Sequence, residues 1–211
     1  MNGAPAQQPG PDPQQRERIV DAALAMAAQC GWEALRLHDL ATVLGVGLDD
    51  IRRHFREKDE LIDAWFDRAD AAMLVLADSG ALAELSPRQR LVQLTMAWLD
   101  ALEPHRAVTR QMIAAKAEPG HLHIQVPAVM RISRTVQWLR EAAGLDDQGL
   151  RRALGETALT GIYLTVFTRW LAEHRPGSPQ TRALLDSLLG GAERLLQLAP
   201  FLTAPAVRRA D

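Results

Sequence analysis

Between Asp39 and Phe55 the chain reads Asp-Leu-Ala-Thr-Val-Leu-Gly-Val-Gly-Leu-Asp-Asp-Ile-Arg-Arg-His-Phe, two short helical patterns hinged at a glycine. Leu40, Val43 and Leu44 form one apolar stripe, and Ile51 with Phe55 a second, each at the three-to-four spacing that places side chains on one face of a helix. Gly45 stands where a left-handed residue can end the first helix and turn the chain sharply. The pattern predicts a helix-turn-helix.

The flanks narrow the reading. Upstream, residues 18–32 form a helical pattern that ends in Gly31-Trp32, and downstream Phe55-Arg-Glu-Lys-Asp-Glu-Leu-Ile62 opens another helix. Over its first seventy or so residues the chain thus resembles the TetR (tetracycline repressor) family of bacterial transcriptional regulators. The resemblance rests on the run Ile-Val-Asp-Ala-Ala, the Gly-Trp pair, Leu40-Ala41, Gly45-Val46 and Phe-Arg-Glu-Lys-Asp-Glu-Leu. It implies an all-α protein of about nine helices, with a three-helix DNA-binding domain followed by a larger helical domain for ligand binding and dimerisation. The expected division is an arm over 1–13, the reader domain over 14–57, the ligand and dimerisation domain over 58–200, and a tail over 201–211.

Composition agrees with a globular helical chain. With 47% apolar residues in 211, a substantial core can be buried. Cys30 is the single cysteine, so an intramolecular disulfide is excluded and a reducing cytoplasm fits; burial as a small hydrophobe is its expected role. No apolar run approaches the ~18 residues of a membrane span. No secretory signal is evident either. Charge is less accommodating to the implied function: residues 1–70 hold eight Lys and Arg against thirteen Asp and Glu, a net −5 in a chain whose total is −2. Duplex DNA attracts proteins chiefly through phosphate neutralisation. Arg52, Arg53, His54, Arg56 and Lys58, all within seven residues, supply a local basic stripe.

Further along, Ser86-Pro-Arg-Gln89 carries the signature of a capping box with proline at the first helical position. Helices are expected from there to Leu102, from about Pro104 to Ala117, from Pro127 to Ala143 with Gly144 as the stop, and then through Leu154, Ile162 and Trp170. The last helix, launched at Ser178-Pro179, has more leucines than one stripe requires. Leu184, Leu188, Gly191 and Leu195 are expected to face a second copy, forming with residues 150–174 a four-helix homodimer interface.

In the reader helix, the run Gly47-Leu-Asp-Asp-Ile-Arg-Arg-His-Phe55 keeps the family pattern only at Ile51, His54 and Phe55. Its expected DNA contacts are Arg52, Arg53, His54 and Asp50, together with Lys58, which matches a family lysine at the start of the fourth helix. Acids at Asp49 and Asp50 also complement the helix dipole. A pocket for a small apolar effector is expected from Met96, Trp98, Met112, Trp138, Tyr163, Phe167 and Trp170, which lie on different helices. His121 and His123 match no strong metal signature, so no metal is expected, nor a cofactor. Phosphate loops and nucleophile elbows are lacking, so no catalytic residues are assigned. The expected partners are operator DNA, the effector and a second copy, with no membrane. A second resemblance, carried by Asp59-Glu-Leu-Ile-Asp-Ala-Trp-Phe-Asp-Arg-Ala-Asp70, Leu102-Glu-Pro-His-Arg106 and Gly161-Ile-Tyr-Leu, is to lipid-binding ubiquinone-biosynthesis accessory proteins that share the TetR fold but need not bind DNA.

Overall fold

The computed structural model describes residues 12–116, 122–145 and 149–198. The expected arm and tail, the candidate cap at Asp146 or Asp147 and the side chains of the His121-Leu-His123 run lie outside the described residues. All regular elements among the described residues are helical, and they fall into two compact units.

The first unit holds the described residues up to Asp67 together with His105–Ala115. Helix α1 (Pro13–Cys30) starts where Asp12 Oδ1 accepts from Gln14 N at 3.0 Å, with Pro13 at the position that has no amide to satisfy. Its face of Ile19, Val20, Ala23, Leu24 and Ala27 is fully buried. Gly31, at φ 86°, turns the chain so that Trp32 and Leu35 continue the core. Cys30 is exposed at the helix end, not buried as its type suggests.

Helix α2 (Leu37–Leu44) ends at Gly45 in the left-handed region, and Val46 N donates to Ala41 O at 3.0 Å, closing the turn into α3 (Leu48–His54). Leu40, Ile51 and Phe55 are buried as expected, but Val43 is 65% exposed, and Ala41 takes its place inward. Helix α4 (Asp59–Asp78) is shared: its residues to Asp67 belong to the first unit and the rest to the second. The division between the two compact units thus falls inside a continuous helix.

Helix α6 (Arg106–Lys116), which follows the 3-10 turn Glu103–His105, also joins the first unit. Gln111 Oε1 accepts from Trp32 N at 2.7 Å, and Trp65 Nε1 donates to Thr109 Oγ1 at 2.9 Å while its ring meets His105 edge-on at 5.5 Å. These bonds satisfy buried polar groups that would otherwise cost stability.

In the second unit, α5 (Pro87–Leu102) opens with the expected reciprocal box: Gln89 N donates to Ser86 Oγ and Ser86 N donates to Gln89 Oε1. Helix α7 (Leu122–Ala142) begins five residues before Pro127 and closes at Gly144. Helices α8 (Gly149–Ala172) and α9 (Pro179–Leu198) pack on one another, and α5 packs on α7, α8 and α9. The core contains Met73, Leu94, Trp98, Leu102, Val136, Leu139, Val166, Trp170 and Leu185. No described helix is long and apolar enough to cross a membrane.

Candidate functional site

Two places concentrate chemistry, one in each unit. The first is the outer face of α3. Gly47 N donates to Asp50 Oδ2 at 2.9 Å, the half of a capping box in which the third helical residue reaches back to the N-cap amide; glycine has no side chain to supply the other half. One turn later the same acids meet the arginines. Arg52 gives both Nε, at 3.1 Å, and Nη2, at 2.8 Å, to Asp49 Oδ1. Arg53 pairs through Nη2 with Asp50 Oδ1, and its Nε lies 3.5 Å from Asp49 Oδ2. The Arg52 guanidinium holds the Asp49 carboxyl below its ordinary range, by hydrogen bond first and by charge second.

Both arginine side chains remain largely solvent-facing, 72% and 57% exposed. Exposed pairs at this spacing contribute little to stability, so water and other acceptors compete readily for them. His54 is half-buried, with Nδ1 turned inward and no hydrogen-bond partner among the described residues. Leu48, at the start of α3, is 52% exposed.

Lys58, expected to contact phosphate, has its ammonium turned toward the backbone of the first unit. Its ammonium donates to Trp32 O at 2.5 Å and Glu33 O at 3.3 Å and sits 5.0 Å over the Trp32 ring. Burial lowers its pKa, against the opposing influence of Glu33 and Asp59. Trp32 and Glu33 lie in the turn between α1 and α2, where Trp32 O also accepts from Leu35 N at 3.3 Å, and the lysine stem is long enough to bring the ammonium to both carbonyls.

The second place is the aromatic core of the second unit. Trp98 meets Tyr163 at 5.3 Å and Phe167 at 5.6 Å, both edge-on; Phe167 stacks on Tyr163 at 6.2 Å and on Trp170 at 5.9 Å. Four of the expected pocket residues are thus brought together, and Met96 is buried in the same unit. Two are not. Met112 is buried in the first unit, and Trp138 is 47% exposed, because Val136 and Leu139 take the inward face of α7.

What sequence reading missed is the charge at the centre of this cluster. Asp70 Oδ1 accepts from Trp98 Nε1 at 2.7 Å and Thr135 Oγ1 at 3.0 Å, while Oδ2 accepts from Arg131 Nη2 at 3.0 Å. All four residues are under 10% exposed. Burial first, and the Asp70 carboxylate second, raise the Tyr163 hydroxyl well above its ordinary pKa, so it stays protonated. The one available signal was Asp70 in register with Phe66 and Met73 on the apolar stripe of α4. No three potential metal ligands gather among the described residues.

A left-handed hinge between two short helices, set on a three-helix core and followed by a helical bundle with a polar centre, defines the class as an all-α helix-turn-helix protein. The chain is 52% identical to a TetR transcriptional regulator from Nitrosomonas europaea, of known crystal structure; the match covers 87% of this chain and 99% of that one, with a TM-score of 0.77. It is 27% identical over 190 residues to the HTH-type transcriptional repressor KstR2 of Mycobacterium tuberculosis, covering 83% of this chain and 92% of that protein. A TetR transcriptional regulator from Rhodococcus sp. RHA1, 18% identical with a TM-score of 0.63, shares the fold over 93% of this chain and 98% of that one. No family model matches. The chain belongs to the TetR family of transcriptional regulators.

Proposed function

We propose that this regulator is a homodimeric repressor, acting in the cytoplasm, that releases its operator when a small apolar effector binds in the second unit. The observation that carries the reading is the outward-facing α3 behind its Gly45 hinge, in a chain half identical to a TetR regulator along nearly that protein's whole length. In this mode α3 enters the major groove, Arg52 and Arg53 supply the donors, and Asp50 and His54 border them. A two-fold pair of such helices must match successive grooves about 34–36 Å apart.

The effector enters beside Trp98, Tyr163, Phe167 and Trp170. Because Asp70 of α4 is held by groups on α5 and α7, a ligand that shifts those helices shifts α4, which is continuous with the reader unit. The second copy covers Leu184, Leu188, Gly191 and Leu195, which lie along one incompletely buried face of α9; Leu195 is 69% exposed. At Gly191 an added Cβ would meet nothing within 4 Å, leaving that face open to close approach.

An electrophoretic mobility shift with the region upstream of the native operon tests the reading. A sequence-selective, salt-sensitive shift is expected. A second reading, a lipid-binding accessory protein that does not bind DNA, is favoured by the acid partners of both reader arginines and by the inward Lys58. Absence of any shift at low salt, with lipid co-purifying, would select it.

A further inference from the structure

Resting on the regulator reading, we propose that Asp49 and Asp50 are specificity-determining residues: they aim Arg52 and Arg53 at guanine edges while cancelling the charge that would hold phosphate indiscriminately. Both arginines are engaged on one side only. Arg52 uses Nε and one face of Nη2 on Asp49, and Arg53 uses Nε and Nη2 on Asp49 and Asp50. In each, Nη1 has no partner among the described residues. Together with the outer hydrogen of Nη2 it forms a two-donor edge, the one that fits guanine O6 and N7.

A guanidinium held this way has lost part of its rotamer freedom before it meets DNA, so less is lost on docking. The other consequence is electrostatic. The two acids and two arginines of α3 cancel, in a first seventy residues already at −5. Phosphate, whose hold depends on neutralisation and counterion release, gains little from such a helix. A base edge, read by directed hydrogen bonds, loses little. The inward turn of Lys58 removes another nonspecific cation from this neighbourhood. Discrimination is obtained by lowering affinity for the wrong sequence, not by raising it for the right one.

The test is a selection by the full-length protein from a pool of randomised duplexes, followed by fluorescence anisotropy on the selected duplex and a scrambled control. Wild type is expected to enrich half-sites containing guanine, and to bind at least tenfold more weakly when that guanine is replaced by 7-deazaguanine, which lacks N7. Asp49→Asn with Asp50→Asn is expected to bind the scrambled duplex about tenfold more tightly, with a steeper salt dependence, so that the ratio of selected to scrambled affinity falls about tenfold. Asparagine at 50 retains an acceptor for Gly47 N; Asp49→Asn alone, which touches no cap, is expected to move the ratio in the same direction. Selected sites without guanine, or an unchanged ratio in both variants, would overturn the proposal while leaving DNA binding in place. Failure of the pool to yield any enriched sequence removes the regulator reading, and this inference with it.

Discussion

Asp70 illustrates how much a single buried carboxylate can hold. It accepts from an indole, a hydroxyl and a guanidinium on two other helices, all in a setting where an unpaired charge is costly. Asp70→Ala removes at once the acceptor of Arg131 Nη2, Trp98 Nε1 and Thr135 Oγ1 in a buried setting, so a loss of about 3–5 kcal/mol is expected, read as a lower urea midpoint. A shift below 1 kcal/mol would mean that water reaches the site and relieves it. Lys58 makes a second case. Its two carbonyl acceptors predict that Lys58→Ala costs about 1–2 kcal/mol of stability while leaving DNA affinity within twofold. Should affinity fall tenfold with the melting temperature unchanged, the side chain must swing outward to a phosphate.

At the scale of elements, the start of α9 depends on a residue outside it. Glu173 accepts from Gln180 N at 3.0 Å, Thr181 N at 2.8 Å and Thr181 Oγ1 at 2.6 Å, and Ser178 takes up the left-handed φ of 47° that brings this about. Burial alone would raise the Glu173 pKa; the bonds from Thr181 and Gln180, with Arg169 nearby, more than offset it, and the folded value lies below the ordinary 4.5. A carboxylate depressed on folding stabilises above its unfolded pKa and loses that contribution as pH falls through the folded one. Glu173→Ala is therefore expected to cost about 1–2 kcal/mol at pH 7, with the gap to wild type closing below about pH 4. Thermal melts across that range decide it; a gap that stays constant from pH 7 to 3 would show that the charge plays no part. Elsewhere in α9 the paired glycines divide their roles. An added Cβ at Gly190 would lie 2.9 Å from the Arg88 guanidinium, which donates to Asp186 O and Oδ2, whereas at Gly191 there is open space.

For the whole molecule the outstanding question is what covers that open face. The incompletely buried Leu184 and Leu188 and the exposed Leu195 follow one another at helical spacing, and α8 adds Leu154 and Leu164, 43% and 39% exposed. A single protomer gains nothing from leaving them in water. Leu184→Glu with Leu188→Glu is expected to give a folded monomer by sedimentation velocity and to abolish operator retention, since one reader helix cannot span two grooves. A variant that still sediments as a dimer would place the interface elsewhere.

How far the sequence reaches is clear from which residues it located. Helix ends were legible because their causes are local: Gly45 and Gly144 at positive φ, the Ser86–Gln89 box, Pro87 and Pro179 at first positions. So was the aromatic cluster, since Trp98, Tyr163, Phe167 and Trp170 each fall on an apolar stripe. Partnership between residues far apart in the chain was not. Periodicity says which face of a helix avoids water but not what it meets, so α6 joining the reader unit through Gln111 and Thr109, and Asp70 finding Arg131 and Thr135, are decided only when the helices pack. The direction of a long charged side chain is decided there too: Lys58 bends inward to the Trp32 and Glu33 carbonyls, while Arg52 and Arg53 stay at the surface beside acids one turn away.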